Sequence, residues 1–113
     1  MKITSTQQAG VCIISIAGSV DSMSSGEVGK FFDEQIAKGD MRLVLDLSQV
    51  DYMSSSGLRV LVSTLKIVRQ QKGDIHLAGL KDNIQQLLDL AGFTSIFKIY
   101  PTFEEAVSAF EKP

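Results

Sequence analysis

Val44-Leu45-Asp46-Leu47-Ser48-Gln49-Val50-Asp51-Tyr52-Met53-Ser54-Ser55-Ser56-Gly57-Leu58-Arg59-Val60 is the stretch whose reading decides the fold. It continues the apolar, β-rich run Met41 to Leu47, which reads as a central strand buried on both faces. The polar residues after Leu47 read as a turn, and a helix is expected from Ser56 to Gln71. In projection Leu58, Leu61, Val62, Leu65 and Val68 fall within about 120° of one another, the width of a core-facing stripe.

Three serines and Gly57 therefore sit where a helix begins, facing the unsatisfied N–H groups of the first turn and the positive end of the helix dipole. One serine is enough to cap a helix, a role worth roughly 1 kcal/mol. The other hydroxyls are either plain loop residues or acceptors for a phosphate, which would add about -1.5 to -2 charge. The motif reads as a phosphorylatable switch. Opposite the apolar stripe lie Val60 and Ile67, with Ser63, Thr64 and Gln71 on the same side. Such a pair reads as a partner-docking face, with scattered surface exposure as the plain alternative.

On the N-terminal side, Met1 to Thr6 and Val11 to Ala17 flank the turn-like Gln7-Gln8-Ala9-Gly10 and read as a β-hairpin. Gly18-Ser19-Val20-Asp21 closes the second strand. Val28, Phe31, Phe32 and Ile36 recur at helical spacing between Ser24 and Lys38, with Gly39-Asp40 as the stop. Ile75 to Gly79 is a strand, and the helix opening at Lys81-Asp82-Asn83 carries Ile84, Leu87, Leu88 and Ala91 inward. Ile96 to Tyr100 is a last short strand, and Phe103 to Phe110 a last helix, with Thr102 and Glu105 at capping-box spacing. Pro101 and Pro113 fall at element edges. The order β-β-α-β-α-β-α-β-α implies an α/β fold: one small domain over residues 1–113, with a mixed, mostly parallel sheet. The first two strands join without a helix, so about four helices are expected mainly on one face.

A chain of 113 residues is long enough for one apolar core and too short for two domains. A net charge of -2 gives no footing for nucleic acid, and Lys66, Arg69 and Lys72 read as a solvated helix face. Cys12 lies in the apolar run Val11-Cys12-Ile13-Ile14, where it reads as a small buried hydrophobe; as the one cysteine it excludes an internal disulfide. Met1 to Thr6 lacks the apolar segment of a signal peptide, and no run reaches the roughly 20 apolar residues of a membrane span. A cytoplasmic protein without membrane insertion is expected. His76 is the sole histidine and sits in an apolar strand, so no base serves a serine nucleophile. A Gly-x-Ser-x-Gly elbow, a P-loop and a set of metal ligands are also missing from the sequence. These features point to a non-enzyme with no catalytic residue, metal or cofactor.

The run Val44 to Leu58 resembles the signature of STAS domains, in particular bacterial anti-sigma factor antagonists. Gly18-Ser19-Val20-Asp21 is similar to that family's Gly-x-Leu/Val-Asp after the second strand, and Leu87-Leu88-Asp89-Leu90-Ala91-Gly92-Phe93 with Ile96-Phe97 is similar to its C-terminal pattern. The resemblance covers nearly the whole chain. The usual family sequence is Met-Asp-Ser-Ser/Thr-Gly-Leu, with the phosphoacceptor two residues before the glycine, which is Ser55 here. The family's aspartate is replaced by Ser54, so Ser54 and Ser56 become competing acceptors or caps.

The resemblance implies that the unphosphorylated protein binds an anti-sigma factor that is also an ATP-dependent serine kinase, freeing a sigma factor for transcription. Phosphorylation separates the pair, and a PP2C-type serine phosphatase restores it. Asp21, Ser24, Ser54, Ser56, Gly57, Val60, Thr64 and Ile67 would form the partner surface, to which the Ser22-Met23-Ser24-Ser25 loop contributes, with loop structure alone as the plain reading of Asp21 and that loop. The replacement of aspartate by Ser54 keeps a second reading open: a non-phosphorylated STAS scaffold or binding subunit of a lipid-trafficking or signalling complex. A monomer or weak dimer is expected.

Overall fold

In a computed structural model, which describes residues 1–111, the chain first reverses at Ala9-Gly10, where φ is 53° and 77°. Positive φ at both central residues is what a type I′ hairpin turn requires, and its twist matches that of the flanking strands. β1 (Lys2–Gln8) thereby folds onto β2 (Val11–Val20) in antiparallel register, from Lys2 opposite Ala17 to Gln8 opposite Val11. The remaining elements are α1 (Ser25–Ala37), β3 (Arg42–Met53), α2 (Ser55–Gln70), β4 (Asp74–Ala78), α3 (Asp82–Ala91), β5 (Lys98–Tyr100) and α4 (Phe103–Glu111). The sheet order is β1-β2-β3-β4-β5, with β2 to β5 all parallel. The expected mixed, mostly parallel α/β architecture is present.

Strand alternation builds two apolar layers. Cys12, Ile14 and Ile16 of β2, Leu43, Leu45 and Leu47 of β3, and Ile75 and Leu77 of β4 face one side. There they meet Phe32 of α1, Leu61, Leu65 and Val68 of α2, and Ile84 and Leu88 of α3. Val11, Ile13, Val44 and Ala78 face the other side, where Ala106 and Val107 of α4 cover them. Three helices thus share one face and α4 takes the other. Fully burying a side chain of this size contributes about 1.5–3 kcal/mol, so the first layer is the main source of stability.

Several boundaries differ from the sequence expectation. β3 runs past Leu47 to Met53 because Leu47, Val50 and Met53 are all buried, although their spacing of three hides the strand period. Opposite Ser15–Ala17 and again opposite Gly18–Ser19, β3 carries one residue more than β2, and these bulges in β3 absorb the change of phase; Gly18 carries φ +100° there. The hairpin strand β1 reaches Gln8 instead of stopping at Thr6. β5 begins only at Lys98, because the Ile96 and Phe97 amides turn back to the Phe93 carbonyl at 3.1 and 3.3 Å. Ala91 is exposed where an inward position was expected, being the last helical residue before the left-handed C-cap Gly92. Pro113 lies outside the described residues. No helix among the described residues is long and apolar enough to cross a membrane.

Candidate functional site

β2 and β3 end side by side, with Val20 opposite Met53, and the next amide, that of Ser54, donates to the Val20 carbonyl at 2.8 Å. The start of α2 is therefore fastened to the exit of β2. Ser54 has extended backbone (ψ 168°) and caps α2: its Oγ accepts the Gly57 N–H at 3.2 Å and its carbonyl accepts the Leu58 N–H at 3.1 Å. The Ser54 and Ser56 hydroxyls are bonded to each other at 2.9 Å. Ser55 opens the helix and is exposed, and among the described residues no hydrogen bond holds its hydroxyl. Ser54 and Ser56 are thus committed to the cap, and Ser55 is the hydroxyl left open to solvent.

Gly57 is buried, and a Cβ there would stand 2.9 Å from Val20 Cγ1 and 3.0 Å from Met53 Cγ. The expected partner contact at Gly57 is corrected accordingly: the residue lets α2 sit tightly on the strand ends and presents no side chain outward.

The loop leaving β2 is tied by its own side chains. Asp21 Oδ1 accepts the Ser24 amide at 2.9 Å, the Met23 amide at 3.0 Å and, in one of its two available directions, the Ser24 hydroxyl at 3.1 Å. The Ser24 Oγ accepts the Asp21 amide at 2.9 Å and has the Ser19 carbonyl at 3.1 Å as its other acceptor. These bonds, that from the Ser24 amide foremost, hold the Asp21 carboxyl below the usual carboxylate range. The loop displays Met23, which is 92% exposed.

The expected docking face on α2 is largely an internal contact. Val60 is half-buried toward α1, where a Cβ built on Gly29 would meet its Cγ1 at 3.6 Å, and Thr64 is only 4% exposed. α1 thus packs over this flank, with Gly29 next to Val60. Ile67 remains exposed at 41%. The open apolar feature lies on the other flank of α2, where Ser55, Leu58, Arg59 and Val62 line a groove of about 330 Å³ with Ala91 and Phe93. Beside it on α3, Leu90 is also exposed. At the same end of the molecule Lys81 pairs with Asp51, and the Asn83 side-chain amide donates to the Asp51 carbonyl at 2.8 Å, tying the end of β3 to the start of α3.

His76 stands in the α4 layer, on the sheet face opposite α2. It is 2% exposed, its Nδ1–H donates to the Ala106 carbonyl at 2.8 Å, and its ring stacks on Phe110 at 3.7 Å and 9°. Burial lowers its pKa, so the neutral ring is the one the fold prefers. Cys12 is fully buried, and burial followed by the nearby Asp40 pushes its thiol up to about 11. Both residues are structural.

Residues 2–106 match the STAS domain family. The chain is 36% identical to BtrV of Bordetella bronchiseptica over 111 residues, covering 98% of this chain and 96% of that one. It is 30% identical to the anti-sigma F factor antagonist of Paenibacillus polymyxa over 110 residues, covering 96% and 92%. Among solved structures it is similar to TM1081 of Thermotoga maritima, with a TM-score of 0.92 and 26% identity over 97% of this chain and 95% of that one. The phosphorylated form of SpoIIAA from Bacillus has the same fold, with a TM-score of 0.76 at 14% identity over 96% and 99%. On the family match and the two relatives together, this chain belongs to the STAS domain family.

Proposed function

We propose that this STAS domain is an anti-sigma factor antagonist, which binds an anti-sigma factor with serine kinase activity while Ser55 is unmodified and leaves it when Ser55 is phosphorylated. The observation that carries this reading is the sorting of the three serines: Ser54 caps, Ser56 bonds Ser54, and Ser55 faces solvent beside the apolar groove. The names of the curated relatives support the antagonist role.

Serine caps a helix about as well as aspartate does, so Ser54 retains the cap while removing a like charge next to a phosphate on Ser55. The partner surface comprises Asp21, Ser24, Ser54, Ser56 and Ile67, with the groove walls Val62 and Phe93. In the modification step Ser55 Oγ attacks the γ-phosphorus of ATP held by the kinase. The new O–P bond forms as the bond to the bridging oxygen breaks, ADP leaves, and the hydroxyl proton passes to a base of the kinase. A PP2C-type phosphatase returns the serine by hydrolysis, releasing inorganic phosphate. The domain itself carries out no catalysis and acts in the cytoplasm.

The test is incubation with the cognate anti-sigma kinase and ATP, with the product mapped by mass spectrometry, alongside binding in ADP. Phosphate on Ser55 and a complex in ADP that Ser55→Asp abolishes are the expected results. No phosphate on Ser54, Ser55 or Ser56, together with no complex in ADP, sinks the proposal. A Ser55→Asp chain that keeps full affinity identifies a constitutive scaffold instead.

A further inference from the structure

Arg59 follows Ser55 by four residues on α2, and both line the same groove, in which Arg59 is the one charged side chain. Residues four apart on a helix lie on one face with Cβ atoms roughly 5–6 Å apart, within reach of an arginine. Ion pairs among the described residues involve Arg69, Lys81 and Lys98, and Arg59 enters none of them. It is an exposed guanidinium with no carboxylate committed to it.

We infer that Arg59 is the internal counter-ion of a phosphate carried by Ser55, drawing that phosphate along α2 and over the mouth of the groove. This rests on the reading of Ser55 as the acceptor. The guanidinium fork matches phosphate oxygens, so a pair of charge-assisted hydrogen bonds forms without any movement of the backbone. The walls the phosphate would overlie, Val62 and Phe93, are the apolar part of the proposed docking site. Modification then acts in two ways: it adds charge, and it covers apolar surface that a partner would otherwise bury. Arg59 serves in this as a positioning residue.

The experiment installs phosphoserine at position 55 of the full chain during translation and follows its second ionisation by ³¹P NMR. Pairing with Arg59 favours the dianion, so the midpoint lies below the usual value of about 6 and rises by roughly half a unit in Arg59→Gln. Lys66→Gln, the same loss of charge farther along the helix, leaves the midpoint where it was. Equal midpoints in the unsubstituted and Arg59→Gln chains overturn the inference, as does an equal rise in Lys66→Gln. The helix N-terminus acts alike on all three chains and drops out of the comparison. Failure of the kinase to modify Ser55 would count against the proposed function alone, because this phosphate is installed without it.

Discussion

Ser54 and Gly57 share one hydrogen bond, from the Gly57 amide to the Ser54 hydroxyl at 3.2 Å, and this bond fixes where α2 begins. The same hydroxyl is bonded to Ser56, so replacing Ser54 frees two groups. Ser54→Ala should cost about 1 kcal/mol of stability and lower Tm by a few degrees. Ser54→Asp should retain the cap, and Ser55→Ala should stay within about 0.5 kcal/mol of the parent. Thermal melts of the three variants check this ordering; equal losses from Ser54→Ala and Ser55→Ala would contradict the assignment of the cap.

Gly57→Ala places a methyl 2.9 Å from Val20 Cγ1 and 3.0 Å from Met53 Cγ, with little room on either side. Overpacking of this kind costs about 1–3 kcal/mol. The expected result is a lower urea midpoint with an unchanged slope, and weakened partner binding because the start of α2 is displaced. A midpoint equal to that of the parent chain would show that the strand ends give way freely.

His76 links stability to acidity. Its folded pKa is depressed by burial below the ordinary 6.5, so the unfolded chain binds the proton more readily. Stability from the neutral ring is fully present above pH 6.5 and declines as the pH falls from there toward the lowered folded value. Asp21, depressed below 3.8, contributes stability that is lost only at lower pH, as its carboxylate becomes protonated through its folded value. Denaturant titrations across pH should therefore show His76→Phe flattening the decline just below neutrality and leaving the acid limb in place. Parallel curves for the two chains would exclude this role for His76.

The Cys12 thiol, pushed up to about 11 and fully buried, should react with Ellman's reagent at pH 8 far more slowly in the native chain than in urea. Absorbance kinetics decide it: equal rates would mean that β2 opens readily.

What was legible in the sequence was whatever rested on local period or local turn chemistry. The stripe Leu58, Leu61, Leu65 and Val68 placed α2, the run Leu43 to Leu47 placed the central strand, and Ala9-Gly10 closed the hairpin. Illegible features arose where distant segments meet. Val60 and Thr64 read as surface because nothing near them in sequence shows that α1 packs over that flank. The end of β3 read as a turn because its extra residues, between Asp46 and Gln49 and between Val50 and Tyr52, break the period of two, and only the pairing with β2 makes them bulges in a continuing strand. The groove needed Phe93, from beyond α3, to have its second wall. The serine triplet was visible as a motif, but the division of labour within it depends on hydrogen-bond geometry.

The order of strands across the sheet, β1-β2-β3-β4-β5, is also the order in which a ribosome makes them. Each new strand joins the edge laid down just before it, and no earlier pair has to part to admit a later one. A growing chain can thus assemble from its N-terminal hairpin outward, with the edge of β3 waiting for β4 while β4 is still being synthesised. Because α2 is made between these two strands, the serine cap can form on the exits of β2 and β3 before the second half of the sheet exists.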